Sequence, residues 1–101
     1  METVRIYVDS LHGKVFKILP QKEEHNPNLE KYLMNLCIEV KGAYCVFPEL
    51  AKISEYIDLV NILHYLYHHD FDVMTCRVQM FKMQTLINSI QARLGGDVCA
   101  D

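Results

Sequence analysis

Apolar and polar positions alternate at the start of the chain, where Val4, Ile6 and Val8 are separated by Arg5 and Tyr7, and a second β-rich run extends from Val15 to Leu19. Alternation with a period of two predicts strands, and the intervening Ser10-Leu11-His12-Gly13 predicts the turn of a hairpin that Pro20 closes. Gln21 to His25 form a charged connection without a pattern. Asn26-Pro27 then reads as a helix cap with proline in the first turn, followed by Leu29, Tyr32, Leu33 and Leu36 on one face. The stretch Leu36 to Phe47 supports two readings. Its apolar face can continue helically through Val40 and Tyr44, or Leu36, Ile38 and Val40 can alternate with Cys37, Glu39 and Lys41 before a turn at Gly42. Glycine costs up to about 1 kcal/mol inside a helix and suits a tight turn, which favours a second hairpin over the helix.

From Pro48 the spacing becomes helical, with Leu50, Ile53, Ile57, Val60, His64 and Tyr67 in one row and Tyr56, Leu59, Leu63 and Leu66 in a second. This helix is expected to end near His69 and to lie largely enclosed. Asp72 is placed to cap the next helix, with Phe71 before it as a hydrophobic staple toward Cys76. That last helix is expected to reach about Leu94 and stop at Gly95-Gly96. The expected fold class is α+β, with one or two N-terminal β-hairpins packed on a C-terminal antiparallel helix pair. Residues 1–96 would form a single domain and 97–101 a frayed tail.

In the last helix Val73, Cys76, Met80, Met83, Ile87, Ile90 and Leu94 alternate spacings of three and four, which is a seam that wants a helical partner. The short link from His68 to Asp72 makes the preceding helix the natural one. A second row, Met74, Val78, Phe81 and Thr85, is displaced around the same helix. One helix of a two-layer domain seldom needs two apolar faces, and Met with Phe is a composition that interaction surfaces favour. Met74, Val78 and Phe81 are therefore the candidate protein-interaction residues, with another protein or a second copy of the chain as partner.

The 101 residues carry 50% hydrophobic and 23% charged side chains, the balance of one folding domain. A net charge of -3 with Lys and Arg scattered argues against a polyanion binder. The one mixed basic and aromatic surface would be Arg5, Tyr7, Lys14, Phe16 and Lys17. The start of the chain lacks the basic and apolar stretches of a secretory signal, and no apolar run approaches the ~20 residues of a membrane span, so a cytoplasmic protein without membrane contact is expected. Cys37, Cys45, Cys76 and Cys99 contain no Cys-x-x-Cys pair and are expected to stay reduced.

His64 and His68, four apart, share a helical face and could share a metal ion, with His69, Asp72 or Cys76 as further ligands. Tyr65 occupies the place of the Glu base of a metalloprotease helix, and boundary histidines commonly sit on such a face, so no metal site and no cofactor is expected. No phosphate-binding glycine loop and no nucleophile elbow occurs, and no catalytic residue is assigned. The segment Ile38-Glu39-Val40-Lys41-Gly42-Ala43-Tyr44-Cys45-Val46-Phe47-Pro48-Glu49-Leu50 resembles the strand-turn-strand-Phe-Pro-acid passage of HicB-type antitoxins over about an eighth of the chain. The glycine-rich continuation and acidic helix start of that family are missing, and no role is carried over. The expected function is that of a small non-enzymatic interaction module (regulator, adaptor or inhibitor) acting through an apolar helix surface, with a homodimer as one form. A ligand- or metal-binding domain centred on His64 and His68 is the alternative.

Overall fold

Val4, Val8, Leu11, Val15 and Ile18 are each at most 1% exposed, and their spacings of four, three, four and three bring them to one face only in a helix. In the computed structural model, which describes residues 2–99, this segment forms α1 (Glu2–Phe16) and the short α2 (Ile18–Glu23). The expected hairpin is therefore replaced by helix. Ile6, which alternation would place beside Val4 and Val8, is 68% exposed. Pro20 does not end a strand but lies in α2, where its missing N–H leaves the Phe16 carbonyl without a helical donor and accounts for the break at Lys17.

The second hairpin is likewise overturned. Residues Leu29–Val46 form α3, with Leu33, Leu36, Cys37, Val40 and Ala43 buried along one face. Ile38 is 63% exposed, so the period-two reading put it on the wrong side of the backbone. The segment that resembles HicB-type antitoxins thus forms no strand-turn-strand. α3 starts at Leu29 rather than behind Asn26, whose side chain instead accepts the Asn28 N–H at 2.9 Å. Before it, α2 ends with His25 at φ 54°, where the His25 N–H donates to the Lys22 carbonyl at 3.2 Å and the Asn26 N–H to that of Gln21 at 2.9 Å.

A 3-10 turn (Pro48–Lys52) leads into α4 (Ser54–His68), and α5 (Val73–Cys99) follows. α5 runs through Gly95 and Gly96, past the stop expected there, while Ala100 and Asp101 of the expected tail lie outside the described residues. Asp72 caps α5 as its sequence position implies, accepting the Thr75 N–H at 2.7 Å.

The architecture is all-helical, with no strand among the described residues, and the α+β class is corrected accordingly. α1, α3, α4 and α5 alternate in direction, as Arg5 near Gly95, Tyr7 on Phe47, Tyr56 on Val40 and Glu55 on Arg93 show. This is an up-down-up-down bundle 45 × 24 × 19 Å in extent, whose core α5 shares with α1, α2 and α4. No helix among the described residues is long and apolar enough to cross a membrane.

Tyrosines tie α1, α3 and α4 together. The buried Tyr56 donates its hydroxyl to the Val40 carbonyl at 2.7 Å and meets Tyr44 edge-on at 5.4 Å, and the Tyr32 hydroxyl donates to the Lys14 carbonyl at 2.6 Å. Tyr7 stacks on Phe47 at 5.5 Å, but its own buried hydroxyl has no hydrogen-bond partner among the described residues. Burial pushes the Tyr7 phenol up to about 12 and raises that of Tyr56 as well.

Three outcomes are expected. Gly42 lies inside α3 with nothing within 4 Å of an added Cβ, so Gly42→Ala should raise stability in urea unfolding by up to about 1 kcal/mol; a loss would restore the turn. Tyr7→Phe removes an unsatisfied hydroxyl and should leave stability level or higher, whereas Tyr56→Phe should cost about 1 kcal/mol through the lost bond to Val40. The Thr75 backbone N–H, with its side chain adding, holds the Asp72 carboxyl below its ordinary 3.8. A lowered folded value means that the cap's contribution is complete above that pH and fades as pH falls through the folded value. Thermal melts of Asp72→Ala and the parent should therefore differ at neutral pH and converge in strong acid.

Candidate interaction surface

α5 is oriented by its seam. Cys76, Met80, Met83, Ile87, Ile90 and Leu94 are all buried, and Val73 at the start of the helix is half-buried. The helix edges beside that seam are engaged by neighbours. Toward α1, Gln84 and Gln91 face the two ring nitrogens of His12, Gln91 at 3.0 Å, while their amide nitrogens donate to the His12 carbonyl and to Asp9, each at 3.0 Å. Toward α2, Arg77 reaches Glu23 at 3.2 Å, and toward α4, Arg93 meets Glu55 at 2.7 Å. That guanidinium, the first cause, holds the Glu55 carboxyl below its ordinary value.

What remains of α5 is the row opposite the core. Met74 is 63% exposed, Val78 54% and Phe81 61%, and Thr85 continues the row with its hydroxyl turned back to the Phe81 carbonyl at 3.1 Å. The three candidate residues are brought together as one ridge along about 10 Å of helix. Leaving three large apolar side chains in water on one face costs free energy that a partner surface would recover.

The histidines are brought together only in part. The rings of His64 and His68 lie 4.2 Å apart on the surface of α4. His69 stacks on Tyr65 at 4.3 Å, Asp72 is occupied as the α5 cap, and Cys76 is 0% exposed, so the further ligands do not converge. Among the described residues no three His, Cys, Asp or Glu side chains group in a way that could hold a metal ion. Desolvation first, then the charges of Lys41, His68 and His69, hold the His64 imidazole below its ordinary value. Of the basic and aromatic residues expected on the first hairpin, Lys14 lies over the Tyr7 ring at 5.6 Å, but Lys14 is held to Glu39 at 2.6 Å and Tyr7 is packed on Phe47. Cys37 and Cys76 are free and buried, Cys45 is free and exposed, and burial raises both buried thiols. The His12–Gln84–Gln91 clasp was not visible in sequence, because His12 lies more than seventy residues from both glutamines and none of the three belongs to a spacing motif.

No known protein family and no solved structure matches the chain. It is similar to a chloroplastic tricyclene synthase of Arabidopsis thaliana, 31% identical over 85 residues that cover 77% of this chain and 13% of the synthase. The chain therefore spans a small fraction of the length of this relative.

Proposed function

We propose that the chain acts without chemistry, as a helical module that docks another protein on the outer face of α5. The observation that carries this reading is the exposed ridge of Met74, Val78 and Phe81 on a helix whose other faces are packed or bonded to α1, α2 and α4. The synthase activity belongs to a protein of which this chain matches 13%, and it is not proposed for the chain.

Placing the photo-reactive residue p-benzoylphenylalanine at Val78 in the cells of origin should give discrete protein adducts, and placing it at the exposed Lys31 of α3 should not. The double change V78D/F81D should keep the helical circular dichroism while weakening that partner at least about thirtyfold, the loss of a central contact cluster. Equal adducts from both sites would remove the reading.

The 4.2 Å contact of His64 with His68 favours one alternative, a weak metal or ligand site on α4. With two ligands and no third among the described residues, zinc or nickel should leave the melting temperature unchanged. A rise that His64→Ala abolishes would establish the alternative.

A further inference from the structure

The charges around the ridge say what kind of partner fits it. Between Asp72 and Asp97 the chain has no acidic residue, while Arg77, Lys82 and Arg93 fall in that stretch. Arg77 stands three residues from Met74 and four from Phe81, and Lys82 stands four from Val78 and three from Thr85, so the two cations border the ridge on opposite sides. Arg77 shares its charge with Glu23, whereas Lys82 makes no ion pair among the described residues. The face is an apolar ridge one helix wide, bordered by the Lys82 ammonium on one side and by the Arg77–Glu23 pair on the other.

Building on the docking reading, we infer that its occupant is an amphipathic helix of another protein whose apolar row is bordered by Asp and Glu. A ridge at positions i, i+4, i+7 and i+11 over three turns matches the groove of a second helix. Acidic flanks there meet Lys82 and Arg77, which is the rim complementarity that selects partners. A second copy fits poorly. Two α5 helices related by a two-fold axis would set the Arg77 and Lys82 rims of one copy against those of the other, and α5 offers no acidic side chain between residues 73 and 96 to answer them.

The test uses two fluorescein-labelled helical peptides, each of three heptads with Leu and Ile in the apolar row, one flanked by Glu and the other by Lys. Fluorescence anisotropy against the full chain should show the Glu peptide binding at least about tenfold tighter at low salt, with the preference shrinking at high salt. Lys82→Glu should reverse the preference, and V78D/F81D should abolish binding of both peptides. Equal binding of the two peptides overturns the acidic-partner inference while the docking surface stands. No binding by either, with a monomeric parent in light scattering, removes the docking reading as well. No binding by either, with a parent dimer that V78D/F81D dissociates, assigns the face to a second copy and overturns the inference.

Discussion

Burial of the α5 seam is the interaction on which the rest of the structure depends. Cys76, Met80, Met83, Ile87, Ile90 and Leu94 occupy one line along the helix, and α1, α2 and α4 all close on it. Fully burying side chains of this size is worth roughly 1.5–3 kcal/mol each, so the line fixes the rotation of α5 about its own axis. α3 has no comparable share in α5 and joins the bundle through α4, the 3-10 turn and α2, with the Tyr32 hydroxyl tying it to α1.

That rotation decides where every other residue of α5 points. With the seam inside, Gln84 and Gln91 meet α1, Arg93 meets α4, and Met74, Val78 and Phe81 have nowhere to go but outward. The exposed ridge is a geometric consequence of a well-buried seam on a helix with apolar residues on two sides. The polar ties add registry more than energy. The Tyr56 bond to Val40 and the clasp of His12 between Gln84 and Gln91 join residues that can meet in one alignment of the helices and leave donors or acceptors stranded in others.

The sequence by itself determined the helix pair of the C-terminal part, but neither the 3-10 turn before it nor the end of α5. The rows of three and four from Leu50 to Leu94, Asp72 as a cap and the short link before it lead to α4 and α5, and the second row at Met74, Val78 and Phe81 is legible from spacing alone. The N-terminal part carries a helical row too, in Val4, Val8, Leu11, Val15 and Ile18, but the same stretch also satisfies a period of two over five residues. β-branched residues such as Val and Ile are enriched in strands, so local composition favoured the shorter pattern over the longer one. Tertiary structure decided between them. The helical conformation buries five residues of α1 and α2 and five of α3 in the common core, whereas the alternation would have buried Ile6 and Ile38 and left Leu11 and Cys37 out. Only packing could also place His12 between two glutamines and leave an open ridge between Lys82 and the Arg77–Glu23 pair. Those arrangements depend on distances between residues far apart in the chain, and no local spacing encodes them.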